Sequence, residues 1–357
     1  MNRTYIIAEA GVNHNGSMEL AKQLIDVAVA AGADAVKFQS FKADKLVSKE
    51  APKAKYQKEN TTTAESQYEM LKKLELTNAM HRELVAYCNQ QGIEFLSTPF
   101  DEENLTLLVD ECNIAKIKIP SGEITNAPLL LKIAQTGRPV ILSTGMCTLS
   151  DVEAALGVLA YGYLNAEEKP SVERFAAAYS SGDGQEVLRD KVILLHCTTE
   201  YPAVFNDVNL RNIETLKAAF DLPVGFSDHT QGIAISLAAA ARGAILIEKH
   251  FTLNRKLPGP DHRASLEPEE LKAMVLGIRQ IEQALGRKVK IPTTSEQDNK
   301  IVARKSLVAA QAICQGEVFN EDNIAIKRPG SGISPLYYWD YLGRRAARDF
   351  KQDEKVT

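Results

Sequence analysis

Eight short apolar runs, each followed by a stretch with helical periodicity, fill the chain almost to residue 285. The runs are YIIAEAG (5–11), AVKFQS (35–40), EFLSTPF (94–100), KIKIPSG (116–122), PVILSTG (139–145), KVILLHC (191–197), PVGFSDH (223–229) and AILIEKHF (244–251). A strand that is apolar at nearly every position is buried on both faces, the condition of a parallel sheet covered by helices. Eight strand–helix repeats over roughly 250–285 residues predict an α/β fold of the (β/α)8 TIM-barrel type. An open doubly wound sheet is the alternative, but it would carry GxGxxG after its first strand, and AGVNHNGS does not match. The intervening segments read as helices. SMELAKQLIDVAVAAGA places Leu20, Leu24, Ile25, Val27 and Val29 largely on one side and stops at a glycine. GIAISLAAAARGA is short and alanine-rich, and EPEELKAMVLGIRQIEQALG opens on acidic residues and closes at Gly286.

Two stretches break the rhythm. Residues 41–75 form a long charged excursion after the second strand, and residues 161–190 delay the sixth. The first leaves the strand end where a barrel keeps its active site, so it reads equally as a lid or as a surface insertion. Beyond the barrel, expected over 1–286, residues 287–302 read as a polar linker. Residues 303–357 read as a small appended domain, of a size that is only marginally stable alone.

Composition removes several classes. Hydrophobic residues at 45% and charged residues at 25% are the balance of a soluble globular protein. No apolar stretch approaches the roughly 20 residues of a membrane helix. The N-terminus reads as a strand, not a signal peptide. Five cysteines without CxxC spacing fit a reducing cytoplasm rather than a disulfide framework. A net charge of −4 argues against nucleic-acid binding, while leaving room for a local anion pocket.

In a (β/α)8 barrel the C-terminal strand ends face the active site. Read in order, they offer Glu9; Lys37 and Gln39; Thr98; Lys118, Ser121 and Glu123; Ser143 and Thr144; His196, Thr199 and Tyr201; Ser227, Asp228 and His229; and Glu248, Lys249 and His250. Period-two alternation places Lys37 with Gln39, Ser227 with His229, and Glu248 with His250 on common faces. Any one of these could be a structural ion pair or a satisfied core histidine, but polar residues at all eight ends point to a site. Strands 7 and 8 are neighbours, so His229 and His250 can reach one divalent metal, Mn²⁺, Fe²⁺, Co²⁺ or Zn²⁺. His196 is a third candidate, and His14 reads as a cap for backbone groups. Lys37 and Lys118 with Thr98, Ser121, Ser143 and Ser227 make an anion pocket. From the residues alone the expectation is a metal-dependent enzyme acting on a small phosphorylated or carboxylated substrate, with aldolase, isomerase and transferase all open.

The stretches IAEAGVNHNGS, VKFQSFKADKL, STPFDE, KIPSGE, ILSTGM, LLHCTTEYP, GFSDHT, EKHFTL, GPDH and KRPGSGISP carry a resemblance over nearly the whole chain. In this order they resemble the sialic acid synthase family, the N-acetylneuraminate synthases with their legionaminic and pseudaminic acid relatives. The resemblance implies that the appended domain is of the antifreeze-like (SAF) type. It also implies condensation of phosphoenolpyruvate with an N-acetylated mannose-type sugar and water, giving a nine-carbon 2-keto acid and phosphate. The implied metal is usually Mn²⁺, with Mg²⁺ or Co²⁺ as substitutes, held by His229 and His250 and not by His196. Glu9, Lys37, Lys118 and Glu123 match catalytic positions, Glu9 acting on the water. Lys37, Thr98, Lys118, Ser121, Ser143, Ser227 and Thr199 match phosphoenolpyruvate contacts. Gln39, Glu123, Tyr201, Asp261 and Arg328 match the sugar side. Arg328 would enter from a second copy in a domain-swapped homodimer. Thr199 departs from the asparagine of some members, His262 is incidental, and 161–190 is longer than in many. VKFQ and KIPSGE tilt the expected sugar toward N-acetylmannosamine, ahead of a 2,4-diacetamido-6-deoxy-mannose-type sugar. A pyruvate-dependent aldolase and a carbohydrate-binding protein on an inactive barrel are the rivals from other classes.

Overall fold

The structure is a computed structural model that describes residues 3–61, 65–165 and 168–357. The readings made for residues 1–2 and for 62–64 and 166–167 of the two excursions lie outside the described residues. The chain divides into two compact units, Met1–Gly286 and Arg287–Thr357.

The first unit is an eight-stranded parallel sheet curled into a nearly closed barrel. Its strands are β1 (Tyr5–Gly11), β2 (Ala35–Ser40), β3 (Glu94–Pro99), β4 (Ile117–Ile119), β5 (Val140–Ser143), β6 (Val192–Cys197), β7 (Val224–Asp228) and β8 (Leu246–His250). The hydrogen-bonded order runs β3-β2-β1-β8-β7-β6-β5-β4. The barrel predicted from the eight repeats is therefore the fold. The fourth strand is shorter than its apolar run, because Ser121–Glu123 leaves the sheet as a single 3-10 turn.

Alternation builds the interior in layers. Ile7, Ala35, Leu96, Ile141, Leu195 and Leu246 point inward as one buried apolar layer. Two residues further along the same strands come Glu9, Lys37, Thr98, Ser143, Cys197 and Glu248, so the next layer up is polar. At the apolar level β7 carries Gly225, where a Cβ would lie 2.6 Å from the Leu246 carbonyl oxygen and 2.7 Å from Leu195 Cδ2. The glycine lets β7 sit close enough for Ser227, two residues on, to join the polar layer.

Helix α1 (Met18–Ala31) is capped by Ser17 and ends on Gly32, whose φ of 77° favours glycine. Its buried stripe is Ala21, Leu24, Ile25, Ala28 and Ala31, while Leu20, Val27 and Val29 are half-buried. The expected face was thus rotated toward the large residues; the alanines make the closest approach to the sheet. Helices at Ala234–Ala241 and Pro268–Leu285 form where expected. The 41–75 excursion folds into three short helices, α2 (Ala43–Leu46), α3 (Lys55–Asn60) and α4 (Gln67–Lys72).

In the second unit β9 (Ser306–Ala309) pairs antiparallel with β10 (Ile324–Lys327) over a core of Leu307, Ile313, Phe319, Phe350 and Val356. The segment read as a linker is not wholly irregular: Thr294–Ala303 is helical, capped by Thr293 and Glu296, with no buried residue. No helix among the described residues is long and apolar enough to cross a membrane.

Candidate active site

The polar layer opens into a cavity of about 370 Å³ at the C-terminal end of the strands. Register brings its charges together. Glu9 lies opposite Lys37 on one side and His250 on the other, and Ser227 lies opposite Glu248. Lys37 Nζ is 2.7 Å from Glu9 Oε2, 3.5 Å from Glu248 Oε2, and donates to Thr98 Oγ1 at 3.2 Å. Lys118 Nζ is 3.6 Å from Glu248 Oε1, which also accepts from Ser227 Oγ at 2.8 Å. Gln39 Nε2 donates to Glu9 Oε1 at 3.4 Å. All four charged side chains are almost completely buried.

Burial pushes both carboxyls upward. At Glu9 it prevails, helped by the nearby Glu248 charge and opposed by Lys37, so Glu9 is held above the usual carboxylate range. At Glu248 Lys118 and Lys37 outweigh burial and hold the carboxyl down. Lys118 is lowered by burial. The two carboxylates are thereby driven apart: Glu248 is the fixed counter-ion, and Glu9 is the group able to take up a proton near neutrality.

One wall of the cavity is made for an anion. Ser143 Oγ and Thr199 Oγ1 are buried with no hydrogen-bond partner among the described residues. Ser121 Oγ accepts from the Gly145 amide at 2.9 Å and lies 3.1 Å from Cys197 Sγ. Unpaired buried hydroxyls beside a buried lysine are unfavourable without a ligand, and a phosphate or carboxylate supplies the missing acceptor.

A second wall is aromatic. The His229 and His250 ring centroids are 5.7 Å apart, and Tyr201 stands 4.2 Å from the first and 5.6 Å from the second. His229 Nδ1 donates to the Thr198 carbonyl at 2.7 Å, so Nε2 carries the lone pair, with Ser227 Oγ 3.4 Å away. Burial lowers His229 to about 4 and, with His229 beside it, lowers His250 well below the ordinary histidine value. His250 Nδ1 is buried and unpartnered. Two neutral imidazoles, one oriented by a backbone carbonyl and one with an unclaimed nitrogen, fit a divalent metal site. Among the described residues no third histidine, cysteine or carboxylate completes a cage. The fit is to an open site whose remaining ligands are oxygen atoms of water or substrate.

Other predicted residues fall at different distances from this centre. Tyr201 and Asp261 line the cavity, and burial raises the Asp261 carboxyl to about 6. Glu123 lies at the rim, where it accepts from Asn126 Nδ2 at 2.7 Å rather than joining the ion pairs. Arg328 is exposed on the second unit. Asp228 and Lys249 were strand-end candidates, but they point to the outer faces of β7 and β8 and pair with each other at 3.0 Å. Thr144 Oγ1 donates to the Leu195 carbonyl, and His196 Nε2 to the Val208 carbonyl at 2.6 Å. Both line an adjoining hollow of about 600 Å³ that shares Cys197 and Thr199 with the cavity but has none of its lysines. His14 accepts from the Gly16 amide at 3.0 Å, the backbone cap expected of it, and His262 contacts Thr252 at 2.6 Å. Glu248 matters more than the sequence had indicated: alternation placed it on the face of His250, but only the register shows it touching both lysines. Tyr56, Gln57 and Gln67 also line the cavity, and no sequence signal in the excursion marked them.

Comparison with known proteins fits this geometry. The chain is 50% identical to the N,N'-diacetyllegionaminic acid synthase of Campylobacter jejuni, over all of this chain and 99% of that one. It is 44% identical to the N,N'-diacetyllegionaminic acid synthase of Legionella pneumophila, over 96% and 90%. Among solved structures it is similar to the N-acetylneuraminic acid (sialic acid) synthetase of Leptospira borgpetersenii in complex with citrate. That match has 34% identity, covers 84% of this chain and 90% of that one, and has a TM-score of 0.67. A SAF domain matches residues 304–357, and the NeuB family matches residues 24–290. The chain belongs to the NeuB family of sialic acid synthases, with a SAF domain at its C-terminal end.

Proposed function

We propose that this synthase joins phosphoenolpyruvate to a 2,4-diacetamido-6-deoxy-mannose-type sugar, giving a legionaminic acid and phosphate. The observation that carries the choice of sugar is the order of the relatives. Legionaminic acid synthases match at 50% and 44% over essentially the whole chain, against 34% for the sialic acid synthetase. N-Acetylmannosamine, put first on VKFQ and KIPSGE, becomes the second reading.

Phosphoenolpyruvate is assigned to the wall of Lys37, Lys118, Thr98, Ser121, Ser143, Thr199 and Ser227, whose two cations and unpaired hydroxyls complement a phosphate and a carboxylate. The open-chain sugar is assigned to the side of Gln39, Glu123, Tyr201 and Asp261, with Arg328 brought by a second copy of the chain. His229 and His250 would hold Mn²⁺, or Mg²⁺ or Co²⁺ in its place, and the bound ion would supply Lewis-acid polarisation of the aldehyde. Holding the two substrates in one cavity lets carbon 3 of phosphoenolpyruvate bond to the aldehyde carbon, whose oxygen becomes a hydroxyl by taking up a proton. Carbon 2, left electron-poor, is attacked by water. Glu9 accepts a proton from that water, a task suited to a carboxylate held above its usual range. Lys37 and Lys118 stabilise the phosphate as it departs with the bridging oxygen, leaving the 2-keto group.

Turnover with the two sugars side by side tests the assignment. We expect kcat/KM for the diacetamido sugar to exceed that for N-acetylmannosamine by roughly tenfold or more, the order that one or two extra apolar contacts can supply. A preference for N-acetylmannosamine would overturn it.

A further inference from the structure

The 41–75 excursion is more than a cover over the barrel mouth. Met70 and Leu74 are buried with Val12 and Phe41 in a small apolar cluster, against which Leu46, Leu71 and Phe100 pack half-exposed. This cluster anchors α2 and α4 to the loop after β1 and the end of β3. The same side chains then form part of the cavity lining, with Leu46, Val47, Met70 and Leu71 facing the space in front of the charged floor. Amide groups stand among them: Gln57 and Gln67 line the cavity, and Gln67 Nε2 donates to Gln57 Oε1 at 3.3 Å. The Tyr56 ring lies 5.1 Å from that of Tyr201, tilted against it, and Tyr201 in turn contacts His229, so this wall reaches the sugar end of the cavity rather than the anion end.

A wall of amides and short apolar side chains is an odd neighbour for a hexose rich in hydroxyls, which would leave its own hydroxyl groups against Leu and Met. It complements a different surface, an amide dipole that ends in a methyl group. We infer that α2 and α4 form the specificity wall of the active site. On this inference, Leu46 and Leu71 receive the methyl groups that distinguish a diacetamido-6-deoxy sugar from N-acetylmannosamine, and Gln67 meets the second acetamido group. This rests on the proposed substrate and extends it to named residues. The wall selects in two ways. It gains contact with the acetyl methyl and the C6 methyl of the first sugar, and it sets the 6-hydroxyl of the second against leucine side chains that offer it no partner.

The test is the ratio of kcat/KM for the two sugars in wild type, Leu71→Asn and Leu46→Asn, with the KM for phosphoenolpyruvate as control. Leu71 and Leu46 are half-exposed, so a polar substitute leaves the buried anchors Met70 and Leu74 in place. We expect each variant to lower the preference for the diacetamido sugar by roughly tenfold, within the range that a hydrophobic contact with one methyl group commands. The KM for phosphoenolpyruvate should stay within twofold. If one variant proves unfolded by circular dichroism, the other decides. A wild-type preference for the diacetamido sugar that survives unchanged in a folded variant would overturn the wall alone. A wild-type preference for N-acetylmannosamine would overturn the substrate assignment and, with it, the purpose given to the wall.

Discussion

Lys37→Met is expected to reduce turnover by roughly three orders of magnitude and to destabilise the barrel at the same time. Among the described residues, Lys37 is the only cation that touches both buried carboxylates, at 2.7 Å from Glu9 and 3.5 Å from Glu248. Removing it leaves Glu9 charged in the interior with Gln39 as its one remaining side-chain donor among the described residues, and breaking a buried pair from one side typically costs about 3–5 kcal/mol. Part of that is relieved by protonation, since burial already holds Glu9 above its usual range. Protonation, however, removes the base assigned to the water. The double variant Lys37→Met/Glu9→Gln separates the two effects. It takes away both charges of the pair, so the melting temperature should recover most of the loss while activity stays absent. A Lys37→Met protein of wild-type stability and near-wild-type turnover would show that the ion-pair network does not have the part given to it here.

Gly145→Ala should strongly weaken phosphoenolpyruvate binding while leaving the fold standing. A Cβ at residue 145 would lie 2.3 Å from Thr199 Oγ1, 2.8 Å from Ser121 Oγ and 3.0 Å from Cys197 Sγ. Two of these are the groups placed around the anion, and each would have to move. Overpacking of this kind typically costs about 1–3 kcal/mol in stability, which a domain of this size tolerates. In the site the same displacement moves hydroxyls that must reach an anion within hydrogen-bond distance. We expect the KM for phosphoenolpyruvate to rise by roughly a hundredfold, with a far smaller change in the sugar KM. Equal increases in both would place Gly145 in the scaffold rather than in the anion subsite.

The barrel was legible because both of its determinants are local. Strands could be read from continuous apolar runs, their faces from period-two alternation, and helix stops from single glycines such as Gly32. Most of the site followed, since Glu9, Lys37, Thr98, Ser143, Ser227, His229 and His250 all sit at strand ends and do line one cavity. What stayed hidden depended on register or on irregular chain. Asp228 and Lys249 differ from Ser227 and Glu248 only by one position, and one position is the difference between the outer and inner face of a strand. The importance of Glu248 required knowing that β7 and β8 place it opposite Ser227 and within reach of both lysines. The lining residues Tyr56 and Gln67 come from an excursion whose packing no periodicity announced. The sugar was not legible for a physical reason. VKFQ and KIPSGE carry Lys37 and Lys118, proposed for the anion, together with Gln39 and Glu123, proposed for the sugar. None of the four lies in the 41–75 excursion, whose side chains also line the cavity.

The central claim is that this cavity brings phosphoenolpyruvate and a sugar aldehyde together and releases phosphate by breaking the C–O bond. The most direct measurement follows phosphate release from phosphoenolpyruvate carrying ¹⁸O at the bridging oxygen, with Mn²⁺ and the diacetamido sugar. Release should require the sugar, stop when a chelator removes the metal, and deliver the label to phosphate. Label retained in the keto acid, or no release with either the diacetamido sugar or N-acetylmannosamine, would contradict the account.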